Sequence, residues 1–102
     1  SYYGEKAIEY FEMALSIEPQ NDNLMVALSD ALKAFGRSED AKMYLQKAIA
    51  INPKNPIAYY NLALILVLEQ KSNDAIEVLQ DGISYSSSPG ELSELLSKIS
   101  KT

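Results

Sequence analysis

Apolar positions recur along the chain at intervals of three and four residues, broken by short polar stretches, and the pattern runs six times. In the first run Ala7, Ile8, Phe11, Ala14 and Leu15 share one stripe, which predicts a helix over Glu5–Ile17 behind a lead-in at residues 1–4. Pro19 stops it, because proline has no N–H for the ladder and disfavours helix at the preceding residue. Residues 20–23 read as a turn, with Asp22 or Asn23 placed to cap the next helix. That helix, Leu24–Phe35, carries Leu24, Met25, Leu28, Ala31, Leu32 and Phe35, and Gly36 suits the left-handed residue that closes it. Ser38 is placed to cap a third helix reaching Ile51, with Ala41, Tyr44, Leu45, Ala48 and Ile49 on one face. Pro56 opens a fourth helix, extending to Gln70, at the position where a missing N–H costs nothing.

Ser72 or Asn73 caps a fifth helix, Asp74–Ser84, with Ala75, Ile76, Leu79 and Ile83 inward. Ser88-Pro89-Gly90-Glu91 has the form of a capping box, and Leu92, Leu95, Leu96 and Ile99 give the last helix its stripe. Nothing reads as a strand, so the expected fold class is all-α. Short turns make consecutive helices antiparallel neighbours.

One phrase occurs twice. Ala14-Leu15-Ser16-Ile17-Glu18-Pro19 returns thirty-four residues later as Ala48-Ile49-Ala50-Ile51-Asn52-Pro53. A fixed period of that length marks a stack of helix pairs. Aligned on the prolines, residues 22–55 and 56–89 form two units of equal length. The first offers Met25, Leu28, Ser29, Leu32, Ala41, Leu45, Ala48 and Pro53; the second offers Tyr59, Leu62, Ala63, Leu66, Ala75, Leu79 and Gly82, with Ser87 where proline would stand. This order of large and small residues resembles the tetratricopeptide repeat (TPR). Residues 1–21 resemble the second half of a preceding unit through Ala7, Phe11, Ala14 and Pro19. Two departures are visible: neither unit has Trp at its fourth position, and Gln70 replaces the usual turn glycine.

The resemblance implies an alpha-alpha superhelix, a right-handed solenoid of antiparallel helix pairs, closed by residues 90–102 as a C-terminal capping helix. Packing gives the physical reason for the pattern. Ser29, Ala41, Ala63 and Ala75 are small where two helices must approach closely, and Leu28, Leu45, Leu62 and Leu79 fill the flanks. A lone helix pair cannot bury its stripe, so neighbours stack. Because the chain opens on a second helix without its first, it is expected to be a piece of a longer array with the array's C-terminal end retained.

Composition narrows the chemistry. Cysteine and histidine are both absent from the 102 residues, which removes disulfides, thiolate ligands, a cysteine nucleophile and the usual general base. With 9 basic and 14 acidic residues the formal charge is −5, the wrong sign for a nucleic-acid surface. The longest apolar run, residues 62–68, is too short to span a bilayer, so no membrane insertion is expected. No basic-then-apolar signal opens the chain, and the cytoplasm is the expected compartment. No cofactor, metal or catalytic set is indicated, and an enzyme is not expected. Met13, Met25 and Met43 read as core filler. The serines at 84, 86, 87 and 88 read as loop and cap, and the acids Glu69, Asp74, Glu77, Asp81, Glu91 and Glu94 as a solvated face.

In the family that this chain resembles, the first helix of each unit lines a concave groove. Carried over by position, that groove comprises Asn23, Val26, Ala27, Asp30, Lys33 and Ala34, then Ile57, Tyr60, Asn61, Leu64, Val67 and Leu68. The second set is largely apolar, and a helix apolar all round must be covered on every side. The internal core accounts for Tyr59, Leu62, Ala63 and Leu66, leaving Tyr60, Leu64, Val67 and Leu68 over. A partner segment, another copy or the chain's own last helix would cover them. Asn61 stands where several relatives grip a peptide backbone, although Ala27 at the matching place breaks any asparagine ladder; a solvated amide is the plainer reading. Capture of a carboxylate tail is not expected, because Val26, Asp30, Ile57 and Leu64 occupy the positions such a clamp would need.

The expected function is a protein-interaction module that binds a partner peptide or helix in the groove through Asn23, Val26, Asp30, Ile57, Tyr60, Asn61, Leu64, Val67 and Leu68. Two alternatives stand beside it. The same surfaces would drive self-association as a homo-oligomer, or the chain is a substrate-recruiting segment of a larger enzyme.

Overall fold

A computed structural model describes residues 2–101 of the chain, with side chains from residue 4 onward. Six helices follow one another: α1 (Tyr2–Ile17), α2 (Asp22–Ala34), α3 (Ser38–Ile51), α4 (Pro56–Leu68), α5 (Ser72–Tyr85) and α6 (Gly90–Ser100). Each packs on the next, and α4 also touches both α2 and α6. The result is an all-α superhelix of stacked pairs, with α2, α4 and α6 side by side in one layer. Leu28, Leu45, Leu62 and Leu79 are all buried, as are the small residues Ser29, Ala41, Ala63 and Ala75 between them.

The turns inside the two pairs are built alike. After α2, Gly36 takes φ +87° and the Arg37 N–H donates to the Leu32 carbonyl at 2.8 Å. After α4, Gln70 takes φ +62° and the Lys71 N–H donates to the Leu66 carbonyl at 2.8 Å. Both satisfy orphan carbonyls through a left-handed residue. This tight closure leaves one residue before the next helix, so α3 and α5 start at once. Arg37 and Lys71 are their N-caps, without side-chain cap bonds, in place of the expected Ser38 and Ser72 or Asn73. It also ends α4 at Leu68 rather than at Gln70.

The turns between pairs follow a second design. Asn21, not Asp22 or Asn23, caps α2 by accepting the Leu24 N–H at 3.1 Å. Asn55 caps α4 the same way, accepting the Ile57 N–H at 3.0 Å, with Pro56 opening the helix. The third such turn lacks a capping side chain. Pro89 stands at the N-cap of α6 with no side-chain bond, so the capping box expected from Ser88 does not form. Ser87 instead turns back on the preceding layer, its N–H donating to the Lys54 carbonyl at 3.1 Å.

Three further expectations are corrected. α1 begins at Tyr2 rather than Glu5, since nothing in residues 2–4 breaks a first helical turn. Of the three methionines only Met25 is core; Met13 and Met43 are exposed because α1 and α3 each turn one face to solvent. Phe35 is the C-cap residue of α2, partly exposed where the helix has already ended.

Candidate binding groove

The layer of α2, α4 and α6 forms the groove, and α4 is its centre. Its sequence, Pro56–Leu68, has almost no polar residue and consequently no single apolar face. Ala58, Tyr59, Leu62, Ala63, Ile65 and Leu66 are buried against neighbouring helices. Ile57, Tyr60, Asn61, Leu64, Val67 and Leu68 remain on the open side. Ile57 is 54% exposed and Leu68 is 72% exposed, while Tyr60, Asn61, Leu64 and Val67 are half-buried.

Helix α6 does not fold over this surface. It packs on α5 and touches α4 at its edge, the same relation that α4 has to α3 and α2. Leu92 is the anchor of that packing and is fully buried. Between α4 and the start of α6 lies a cleft of about 500 Å³, lined by Pro56, Ile57, Tyr60 and Asn61 on one side and Ser88, Gly90, Glu91 and Leu92 on the other. Glu91 and Leu92 were not among the groove positions expected from sequence. The signal was available, since Glu91 follows Ile57 by one full period of thirty-four residues.

On the α2 side the groove is polar. Asp30 is exposed and accepts a long hydrogen bond from Asn61 Nδ2 at 3.4 Å. Asn23 is exposed and accepts from Asn55 Nδ2 at 3.1 Å. Val26 does not reach the groove: it is only 7% exposed and belongs to the core. The reason is that α2 has three neighbours, α1, α3 and α4, so its buried arc is wider than one helix pair implies. The structure thus brings Asn61 to Asp30 and sets Ile57, Tyr60, Leu64, Val67 and Leu68 along one lane of α4.

The layers are joined by polar groups at both ends. At one end, buried Asn55 donates to Asp22 Oδ2 at 2.8 Å, and Asn52 donates to the same oxygen at 3.0 Å. The Asn55 Oδ1 meanwhile caps α4, so one side chain serves two units. At the other end Lys42 Nζ, little exposed, lies 2.7 Å from Glu69 and 2.9 Å from Glu39. The hydrogen bonds that it donates to Glu69 and Glu39 hold the Lys42 ammonium above its ordinary range. Its hydrogen bond holds Glu69 below the usual carboxylate range. Burial pushes the Tyr59 phenol up; its hydroxyl donates to the Pro53 carbonyl at 2.8 Å.

Among the described residues no cluster of carboxylates could hold a metal ion, and no helix is long and apolar enough to cross a membrane. A stacked array of antiparallel helix pairs is the architecture of a helical-repeat protein-interaction module. Tetratricopeptide-repeat models match residues 23–55 and 44–77, together more than half of the chain, which belongs to that family. A relative, cell division cycle protein 27 homolog B of Arabidopsis thaliana, is 35% identical over 92 residues; the match spans 90% of this chain but only 12% of the relative. The Sgt2 TPR domain from Aspergillus fumigatus superposes with a TM-score of 0.81 at 25% identity, over 98% of this chain and 68% of that one. The Yersinia enterocolitica type III secretion translocator chaperone SycD gives 0.78 at 18% identity, over 99% and 70%, a likeness of fold alone.

Proposed function

We propose that the concave face binds a segment of a partner protein, with the α4 lane as the principal contact. Ile57, Tyr60, Leu64, Val67 and Leu68 supply apolar burial, while Asn61, Asp30 and Asn23 orient the bound segment. The supporting observation is the α4 lane itself: Ile57, 54% exposed at its start, and Leu68, 72% exposed at its end, bracket the half-buried Tyr60, Leu64 and Val67 on the central helix of the layer, and the chain's own last helix leaves them open. A lane of this kind is costly in water and gains roughly 25 cal/mol for each Å² of apolar surface covered. The comparison proteins include a chaperone that shares the fold and a cell division cycle protein that is similar in sequence, and their partners do not transfer to this chain by likeness alone.

The test compares partner capture by the wild type with capture by Leu68→Glu, checked for an unchanged melting transition. Loss of the captured protein in Leu68→Glu, and retention in Tyr10→Glu, supports the groove. Equal capture by both variants counts against it. A second reading has its own observation. Tyr10, Met13 and Ile17 are strongly exposed at helical spacing on α1, a stripe that would drive self-association. Sedimentation at rising concentration decides: a strict monomer removes that reading.

A further inference from the structure

The apolar lane runs along one helix and not across the layer. At the level of Ile57 the neighbouring rows offer Asn23 on α2 and Glu91 on α6; at the level of Leu64 they offer Asp30 and Lys98. An extended segment crossing the three helices would meet polar, apolar and charged rows in turn. Its own backbone N–H and C=O groups would also lie against an apolar surface with Asn61 as the main polar handle, and Asn61 is already turned to Asp30. Unpaired backbone groups there are expensive. A helix satisfies its backbone internally. From Ile57 to Leu68 the lane is about 17 Å long at 1.5 Å per residue, the length of three turns of a partner helix.

The charges on the α6 side of the lane are polarised. On α6 and at its C-cap, Glu91, Glu94, Lys98 and Lys101 recur at intervals of three and four, so they share the face that Glu91 turns to the cleft. The acids stand beside the start of α4 and the lysines beside its end. None of the four forms an ion pair among the described residues. On the other flank Asp30, at the level of Leu64, is engaged by Asn61, and Lys33 in the last turn of α2 stands beyond it at the basic end.

We propose that the groove takes an amphipathic partner helix laid antiparallel to α4. Its apolar stripe sits on Ile57, Tyr60, Leu64 and Leu68, its acidic first turn faces Lys98 and Lys101, and its basic last turn faces Glu91 and Glu94. Acids at the start and bases at the end are also the polarity that stabilises a helix by itself, so the groove selects a segment already biased toward helix. Antiparallel placement sets opposite helix dipoles together as well. The inference rests on the groove being the recognition surface.

The probes are synthetic peptides of one composition with a helical leucine stripe: one acidic at its start and basic at its end, one with the charges reversed, one with a central proline. Binding is read by fluorescence anisotropy at low and high salt. The acid-first peptide is expected to bind roughly tenfold tighter than the reversed peptide at low salt, with the gap closing as salt screens it. The proline peptide is expected to be weaker than either. A variant combining Glu91→Lys, Glu94→Lys, Lys98→Glu and Lys101→Glu should invert the order.

Equal binding of the two charged peptides at low salt, or an order that the combined variant leaves unchanged, overturns the proposal. If the proline peptide binds best and Leu68→Glu abolishes it, the groove stands and the helix falls alone. If the peptides bind and none responds to Leu68→Glu, the groove reading fails as well. Self-association abolished by both Leu68→Glu and Met13→Glu would place a second copy's α1 in the lane and likewise overturns the proposal.

Discussion

Asn55 carries two tasks on one amide. Its oxygen caps α4 and its nitrogen reaches Asp22 and Asn23 of the preceding unit. A capping role alone tolerates Asp as well as Asn. The bridging role does not, because Asn55→Asp sets a second carboxylate against Asp22 in a buried position. That variant is expected to lose about 2–3 kcal/mol in urea unfolding, well beyond Asn55→Ser, through an unpaired buried charge. At Gln70 the expectation is reversed. The left-handed conformation costs a side chain about 1–2 kcal/mol and glycine nothing, and the freer unfolded chain of glycine offsets about 0.4–1 kcal/mol of that, so Gln70→Gly should stabilise by roughly 0.5–1 kcal/mol. Sequence exposed the second of these positions, as a missing glycine, but not the first. The bridge from Asn55 to Asp22 spans a distance in space that local propensity does not encode.

At the scale of elements, packing is decided where helices come closest. A Cβ at Gly82 on α5 would stand 2.7 Å from Tyr59 Cγ on α4 and 2.9 Å from Leu92 Cδ1 on α6. Gly82 is thus where three helices meet around one missing side chain. Alanine there gains about 1 kcal/mol in helix propensity but forces a shift that costs roughly 1–3 kcal/mol. The expected net is a lower melting temperature for Gly82→Ala, although the substitution raises intrinsic helicity. The existence and order of all six helices were legible, because Leu28, Leu45, Leu62 and Leu79 and the small residues between them repeat in phase. The caps were not. Which residue caps a helix depended on how tightly the preceding left-handed turn closed, and that moved the starts of α3 and α5 to Ser38 and Ser72. Val26 was misplaced for a related reason: a third neighbour, α4, widens the buried arc of α2.

Across the whole molecule, the Lys42–Glu69 pair couples α3 to the end of α4. Glu69 titrates below its ordinary value of 4.5, so its contribution to stability is present above that pH and is lost as pH falls through the lowered value. Lys42 titrates above 10.5, so its contribution is complete below that pH and is lost as pH rises through the raised value. Lys42→Met should therefore flatten both the acid and the alkaline limbs of the stability profile measured by thermal melts. The same layering leaves the α4 lane open. Its apolar excess was readable in the sequence; that α6 would extend the layer instead of closing over it was not, since one stripe at Leu92, Leu95, Leu96 and Ile99 serves either arrangement.

The openness of that lane is the claim on which recognition depends, and methyl NMR with a soluble paramagnetic probe measures it directly. In the free monomer the methyls of Ile57 and Leu68 should broaden strongly while those of Leu28, Leu45, Leu79 and Leu92 stay sharp. Addition of a bound segment should restore Ile57 and Leu68 and leave Met13 and Ile17 on α1 broadened. Sharp Leu68 methyls in the free monomer, or protection that arises on α1 alone, would contradict the account.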